Sequence, residues 1–498
     1  MNILTRRHFF KRSTLGAIAG LTTLPGFMQR AVEAGLPTEW NGNKLLFVFL
    51  RGGNDSLNSL VPTGDPAYNT DLRPTLHIPG PSAGLTSSGL FDENPEAGRG
   101  IDCGNGFASL HPNLDQLAPM YNAGDLALVH RVGYPNQNRS HFESEQYWES
   151  GVPRKGYPQE GIFYRTVTET GWSKQNPLSA VTMGSNSPLS VRGRIPLTNI
   201  RRPSRFDLLG VYPGARNKHI EAIQRMYGHR YPEKQHRELV HEAGGSFVRS
   251  IDQIQGIDFD ANGRDGSNNK ISGSPFLDDD LNETQLFPTG NNTDDQSFGS
   301  NTAFNFLEKL KHACQLLHEG NAIIAGTELG GFDTHDDQGL IDSGHGRRMR
   351  YLGQGLHAVR KYLSHPSVNI WDKTIVVTLS EFGRTSKENS SGGTDHAEAG
   401  CMFLASGNPA FQGGVHQCDG ATWPGGDTGA MFLENDRYLG RSVDYRSVLG
   451  EVIRKHLGAS QAHLNSIIPG YSNAAEQLLA GGLSIDGVDI TGELGLFG

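Results

Sequence analysis

Between Ala322 and Leu379 the hydrophobic period changes twice. An aliphatic run that begins at Ala322 predicts a strand to about residue 328. Met349, Leu352, Leu356, Val359 and Leu363 then recur at helical spacing, and Ile375–Leu379 is again a short apolar run. Strand, helix and strand in this order make a βαβ unit, whose crossover sets the two strands parallel and brings the loops after them to one sheet edge. Phe304, Leu307, Leu310, Cys314 and Leu317 add a second helical stripe. Two earlier runs, Leu45–Leu50 and Leu126–Val132, stop as abruptly as the first pair in polar loops. The expected fold is therefore α/β, a doubly wound, mostly parallel sheet with helices on both faces and long loop insertions. In such sheets the site lies beyond the carboxyl ends of the strands, so the four endings point to one assembled centre.

The N-terminus speaks to compartment. Thr5-Arg6-Arg7-His8-Phe9-Phe10-Lys11 reads as a twin-arginine signal, with a weakly apolar stretch to Phe27 and a small-residue boundary near Val32-Glu33-Ala34. Residues 1–34 are expected to be removed on export through the twin-arginine machinery, leaving a single domain over 43–498 in the periplasm or outside the cell. A bilayer span needs roughly 18 to 20 apolar residues. Gly16, Gly20, Thr22, Thr23 and Pro25 interrupt this stretch, and no integral membrane segment is expected after processing. Without residues 1–34 the chain has 39 basic and 52 acidic residues, a net charge of −13, which argues against a nucleic-acid partner.

Residues 256–302 are rich in Asp, Asn, Gly and Ser, the composition of an acidic, exposed insertion. Within it Asp258-Phe-Asp260-Ala-Asn262-Gly263 matches the first half of a calcium loop, although Asn269 stands where the bidentate Glu belongs. A solvated loop is the alternative. The four cysteines have no zinc-knuckle spacing; Cys401 and Cys418 are the pair that an oxidising compartment would allow to bridge.

The loops after the four runs carry the chemistry. Asp333, His335 and Asp337 alternate between glycines, and mixed carboxylate and imidazole donors suit zinc, manganese or iron. Asp395 and His396 follow Gly392-Gly393 and offer two more donors. Glu381 ends a buried strand and needs a positive partner, either a metal or Arg384 in a structural pair. Asn54, Asp55 and Ser56 close the first run as helix caps or as site residues. Ser140-His141-Phe-Glu143 is a capping box in one reading. In the other, Ser140 is a nucleophile activated by His141 or a metal, with helix-end dipoles facing the developing anion.

Five ordered segments carry a resemblance: Leu46-Phe-Val-Phe-Leu-Arg51-Gly-Gly-Asn-Asp55, Arg139-Ser-His-Phe142, Gly331-Phe-Asp-Thr-His335, Leu379-Ser-Glu-Phe-Gly-Arg384-Thr and Gly393-Thr-Asp-His396. Together they resemble the bacterial family of unknown function 1501, grouped with the alkaline-phosphatase-like superfamily. The resemblance implies a two-metal centre of divalent ions for phosphoryl or sulfuryl transfer. Its metal ligands would come from Asp55, Asp333, His335, Glu381, Asp395 and His396. Ser140 or Ser56 would be the nucleophile, and Arg51 or Arg384 would clamp the anion. The substrate would be a small-molecule or polymer-borne phosphate or sulfate ester. One departure stands out: Ser380-Glu381-Phe382 occupies the place of the superfamily's adjacent Asp-His pair. A second expectation therefore stands beside the first, a non-catalytic binding or assembly protein that retains the fold with a degenerate metal site.

Overall fold

The computed structural model describes residues 39–498 apart from 82–97, 154–157, 195–196, 204–205, 207–212, 229–244, 246, 290–299, 426–428, 473–477 and 486–487. The signal read at residues 1–34 lies outside the described residues, as does part of the acidic segment.

Strand β1 (Lys44–Arg51) runs through the middle of an eleven-stranded sheet. Its side chains alternate between two faces, Leu46, Val48 and Leu50 on one and Leu45, Phe47 and Phe49 on the other, all buried. A strand apolar on both faces has to be covered on both, which is the physical content of a doubly wound architecture. The remaining strands are β2 (Leu126–Gly133), β3 (Ala180–Met183), β4 (Thr198–Ile200), β5 (Ile324–Gly330), β6 (Thr374–Leu379), β7 (Gly400–Ser406), β8 (Gly414–His416), β9 (Val443–Asp444), β10 (Gly481–Ile485) and β11 (Val488–Thr491). Their order is β10-β11-β9-β2-β7-β6-β1-β5-β3-β4, with β8 also paired to β2. Seven pairings are parallel, and the three antiparallel ones involve β7 twice and the β10–β11 ribbon once.

The helices divide between the faces. Helices α1 (His141–Ser150), α2 (Ile162–Glu169), α3 (Asn301–His318), α4 (Gly344–Ser364) and α5 (Tyr445–Glu451) follow in chain order. The core containing Leu46, Val48 and Leu50 includes the α3 residues Phe306, Leu307 and Leu310 and the α4 residues Met349, Leu352 and Leu356. The opposite core joins Leu45, Phe47 and Phe49 to Trp148 of α1, Ile162 and Phe163 of α2, and Val448 and Leu449 of α5. Burying the five-residue stripe of α4 stabilises the fold by on the order of 10 kcal/mol, an upper figure because the unfolded chain already hides some apolar surface. No helix among the described residues is long and apolar enough to cross a membrane.

The βαβ unit read from residues 322–379 is present, but its two strands flank β1 rather than each other. Residues 256–289 depart from the exposed excursion expected of their composition. Ile257, Phe259, Phe276, Leu286 and Phe287 are buried against α3 and α4, because a few large apolar side chains suffice to pin an otherwise polar segment. The turn of Asp258, Asp260 and Asn262, read as the first half of a calcium loop, is packed against α3. Lys311 Nζ of α3 donates to the Phe259 and Ala261 carbonyls at 2.8 and 2.9 Å, and Gln315 to the Asp258 carbonyl at 2.7 Å. An ammonium therefore already holds the carbonyls of this turn, while Asp258 and Asn262 accept from the backbone N–H groups of Asp260 and Arg264. All four cysteines are buried and unbridged, so Cys401 and Cys418 do not pair.

Candidate metal centre

Parallel pairing levels the strand ends. Arg51 of β1 lies opposite Gly330 of β5, and Phe49 lies opposite Leu379 of β6. The loops that follow, at 52–55, 331–338 and 380–385, therefore open at one height on one edge. Strand β2 is also parallel to this set, since both β2 and β6 run antiparallel to β7, and its end leads through Tyr134–Ser140 into α1. Strand β7 runs the other way, so the segment before it, Thr394–Glu398, reaches the same edge. There it pairs with Gly383–Thr385 through Ala397 N to Gly383 O at 3.0 Å and Thr385 N to Asp395 O at 2.9 Å. The approach of these loops depends on Gly52, whose φ is +116° and where a Cβ would stand 2.3 Å from Asp333 N.

Four side chains converge there. Asp333 Oδ1 is 3.2 Å from His335 Nε2 and 3.1 Å from His396 Nε2, while Asp333 Oδ2 is 3.3 Å from His141 Nε2. In each imidazole the other nitrogen is anchored. His141 Nδ1 donates to Glu381 Oε1 at 2.8 Å, His335 Nδ1 to Asp395 Oδ1 at 3.0 Å, and His396 Nδ1 to the Arg139 carbonyl at 2.8 Å. Those acceptors put the proton on Nδ1 and leave a lone pair on Nε2. Yet His335 Nε2 and His396 Nε2 face each other at 2.9 Å. Two lone pairs repel at that distance unless a proton or a metal cation lies between them.

The electrostatics fit a cation. Burial raises the Asp333 carboxyl, but the hydrogen bond and charge of Arg384 outweigh it and hold the group well below the usual carboxylate range. Burial likewise raises Asp395, and the hydrogen bond from His335 more than reverses that. The bond to Glu381 raises His141, whereas burial lowers His396 and favours its neutral, ligating form. His141 Nε2 and Glu381 Oε2 are buried without a hydrogen-bond partner. The ring of Phe382 closes one side, its centroid 4.5 Å from that of His396 and 4.9 Å from that of His141. Asp333 is nearly half exposed, with 46% of its side chain accessible, so the other side is open.

Other residues expected at the site have other partners. Asp55 is fully buried and held by Arg73 at 2.6 and 3.1 Å and by Gln338 at 2.7 Å, which leaves no room for it as a ligand. Ser56 is equally buried and donates to the Ala399 carbonyl at 3.4 Å, away from the open edge. Arg51 is bound by Glu145, Glu149 and Glu328, so its charge is spent within the protein. Arg384 is fully buried and does not pair with Glu381. It donates to the carbonyls of Gly52, Gly53, Phe332 and Thr394 and to Asp333, tying three loops together. Glu381 and Asp395 stand behind histidines, one step removed from the convergence point. Ser140 precedes α1 but its hydroxyl makes no capping bond, and Glu143 accepts from Asn138 instead of closing a capping box. Nothing local in the sequence indicates that β2 delivers His141, expected as a base for Ser140, to Asp333. Arg73 and Gln338 carried no signal at all.

No curated protein matches the chain in sequence. Among solved structures, the lipoteichoic acid synthase LtaP of Listeria monocytogenes aligns at 10% identity and a TM-score of 0.29, over 78% of this chain and 73% of its own. Alkaline phosphatase from the Antarctic bacterium TAB5 aligns at 10% identity and 0.27, over 76% and 95%. The phosphonate monoester hydrolase of Silicibacter pomeroyi aligns at 12% identity and 0.23, over 61% and 65%. Residues 283–417, which contribute Asp333, His335, Glu381, Arg384, Asp395 and His396 but not His141, match the model of the family described as protein of unknown function DUF1501.

Proposed function

We propose that His141, Asp333, His335 and His396 hold a divalent ion of the zinc or manganese class, and that the protein is an exported hydrolase or transferase acting on a phosphate or sulfate ester. The observation that carries this reading is the pair of Nδ1-anchored imidazoles whose Nε2 atoms meet at 2.9 Å beside a carboxylate. Ligands about 2.0–2.1 Å from one ion would bring imidazole nitrogens to within a few tenths of an ångström of that separation. Bound there, the ion would supply Lewis-acid stabilisation of an anionic group and lower the pKa of a water. Glu381, Asp395 and the Arg139 carbonyl orient the three rings, the supporting role that ligating histidines require. Arg384 fixes Asp333, and Phe382 keeps water from one side. Ser140, beside His141 at the start of α1, is the side-chain nucleophile in this reading.

Metal analysis of the purified mature protein tests it. About one zinc or manganese per chain is expected, lost in Asp333→Ala and His396→Ala and bound roughly 10- to 100-fold more weakly in Glu381→Gln. Aryl phosphate, phosphodiester and aryl sulfate turnover should follow metal content, and Ser140→Ala separates a serine from a water nucleophile. Absence of stoichiometric metal would sink the proposal and favour a binding or assembly role. The four side chains would then be a hydrogen-bonded cluster with a proton between His335 and His396.

A further inference from the structure

Beside the histidine cluster lies a cleft of about 270 Å³ whose wall includes Gln137, Arg139, Glu398, Glu434 and Arg441. Asn136 and Asn435 complete it. Every one of these side chains ends in a planar amide, carboxylate or guanidinium, and none is aliphatic or aromatic. Two arginines and two glutamates leave the wall formally neutral. Arg139 Nη1 already sits 3.3 Å from Glu398 Oε1, and Arg441 Nη1 donates to the Tyr134 carbonyl at 2.7 Å.

Gln137 is the informative residue. Its Nε2 and Oε1 are both shielded from water and both lack a hydrogen-bond partner. A buried amide left unpaired at both ends is costly, so turning this side chain toward the cleft it lines is favourable when a ligand there accepts and donates together. The local backbone makes room for it, since a Cβ on Gly133 at the end of β2 would stand 2.2 Å from Gln137 Nε2.

The cleft and the cluster share their scaffold. Arg139 lends its carbonyl to His396 Nδ1 at 2.8 Å and precedes His141 by two residues, while Glu398 follows His396 by two. A molecule with its reacting group at the cluster therefore has its remaining portion within reach of this wall.

We infer that the cleft binds a neutral, polyhydroxylated unit, so that the ester handled at the cluster is the ester of a sugar; this rests on the function proposed above. Vicinal hydroxyls each donate and accept, and planar side chains present paired donors and acceptors in fixed geometry to match them. An anionic portion would confront Glu434, a cationic portion would confront Arg139 and Arg441, and a zwitterion would have to break the Arg139–Glu398 contact.

The experiment is ligand-observed NMR on the chelator-treated full chain with the methyl glycosides of glucose, galactose, mannose and N-acetylglucosamine. Phosphoserine and inorganic phosphate form the charged arms. At least one glycoside is expected to bind. Gln137→Leu, which keeps the volume and removes the amide, should weaken it about tenfold, the loss expected when ligand hydroxyls lose a buried partner. Glu434→Gln, on the half-buried rim, should weaken it several-fold and carries the test if the leucine variant does not fold. Binding of no glycoside, binding unchanged in the folded variants, or binding of phosphoserine in place of glycosides overturns the inference. Because the protein is metal-free in this measurement, such a failure leaves the metal reading standing. Absence of metal in the native protein would sink that reading without altering a sugar-binding result.

Discussion

Glu398 shows how far a residue's surroundings reach into its chemistry. Burial pushes its carboxyl up to about 7, and Arg139 only partly offsets that. A folded-state value above the unfolded one means that folding takes up a proton, so this contribution to stability is fully present below about pH 4.5 and is lost as pH rises through 7. Glu398→Gln should therefore leave stability near pH 4.5 almost unchanged and raise it at pH 8, by on the order of 2–3 kcal/mol at most. Denaturant melts of both proteins at the two pH values check this; equal pH slopes would contradict it. Residue identity alone did not sort such cases. Asp55 and Asp333 both end apolar strands in polar loops, yet one meets Arg73 in the interior and the other meets three histidines at an open edge. The deciding partners lie far away in the chain, where no local spacing reveals them.

At the level of elements, strands and helices were the legible part. Alternation on β1 and the helical stripe of α4 follow from burying apolar side chains, which local sequence displays directly. The loops that meet above them were less legible, because their geometry rests on one buried guanidinium. Arg384 satisfies four backbone carbonyls from three loops besides Asp333. Arg384→Ala should leave several of those carbonyls unpaired at about 1–3 kcal/mol each, destabilising the protein by roughly 4 kcal/mol or more. Arg384→Lys should recover only part of this, since a point charge cannot span the planar fork. A shift in urea midpoint below 1 kcal/mol for the alanine variant would show that the loops hold each other without it. The Ser140 capping box failed for a comparable reason, with Glu143 recruited by Asn138 rather than by its own helix end.

Across the whole molecule, the candidate centre joins the ends of β1, β2, β5 and β6 with the segment before β7, so an ion bound there would clamp distant parts of the chain. Binding that favours the folded state at 100 times the dissociation constant adds about 2.7 kcal/mol. Chelation should therefore lower the melting temperature of the native protein, and His396→Ala should melt at the chelated value with or without chelator. A melting temperature indifferent to chelation in both would argue that no ion bridges these loops. The amino-acid pattern by itself determined the α/β class, the parallel βαβ unit and the sheet edge to which its loops run, since each depends on hydrophobic period and connection handedness. Only the tertiary structure decided that His141 joins Asp333, that Asp55, Ser56, Arg51 and Arg384 turn inward, and that Lys311 binds the Phe259 and Ala261 carbonyls. Those outcomes depend on which side chains meet across hundreds of residues, and meeting is a property of packing, which one-dimensional spacing does not encode.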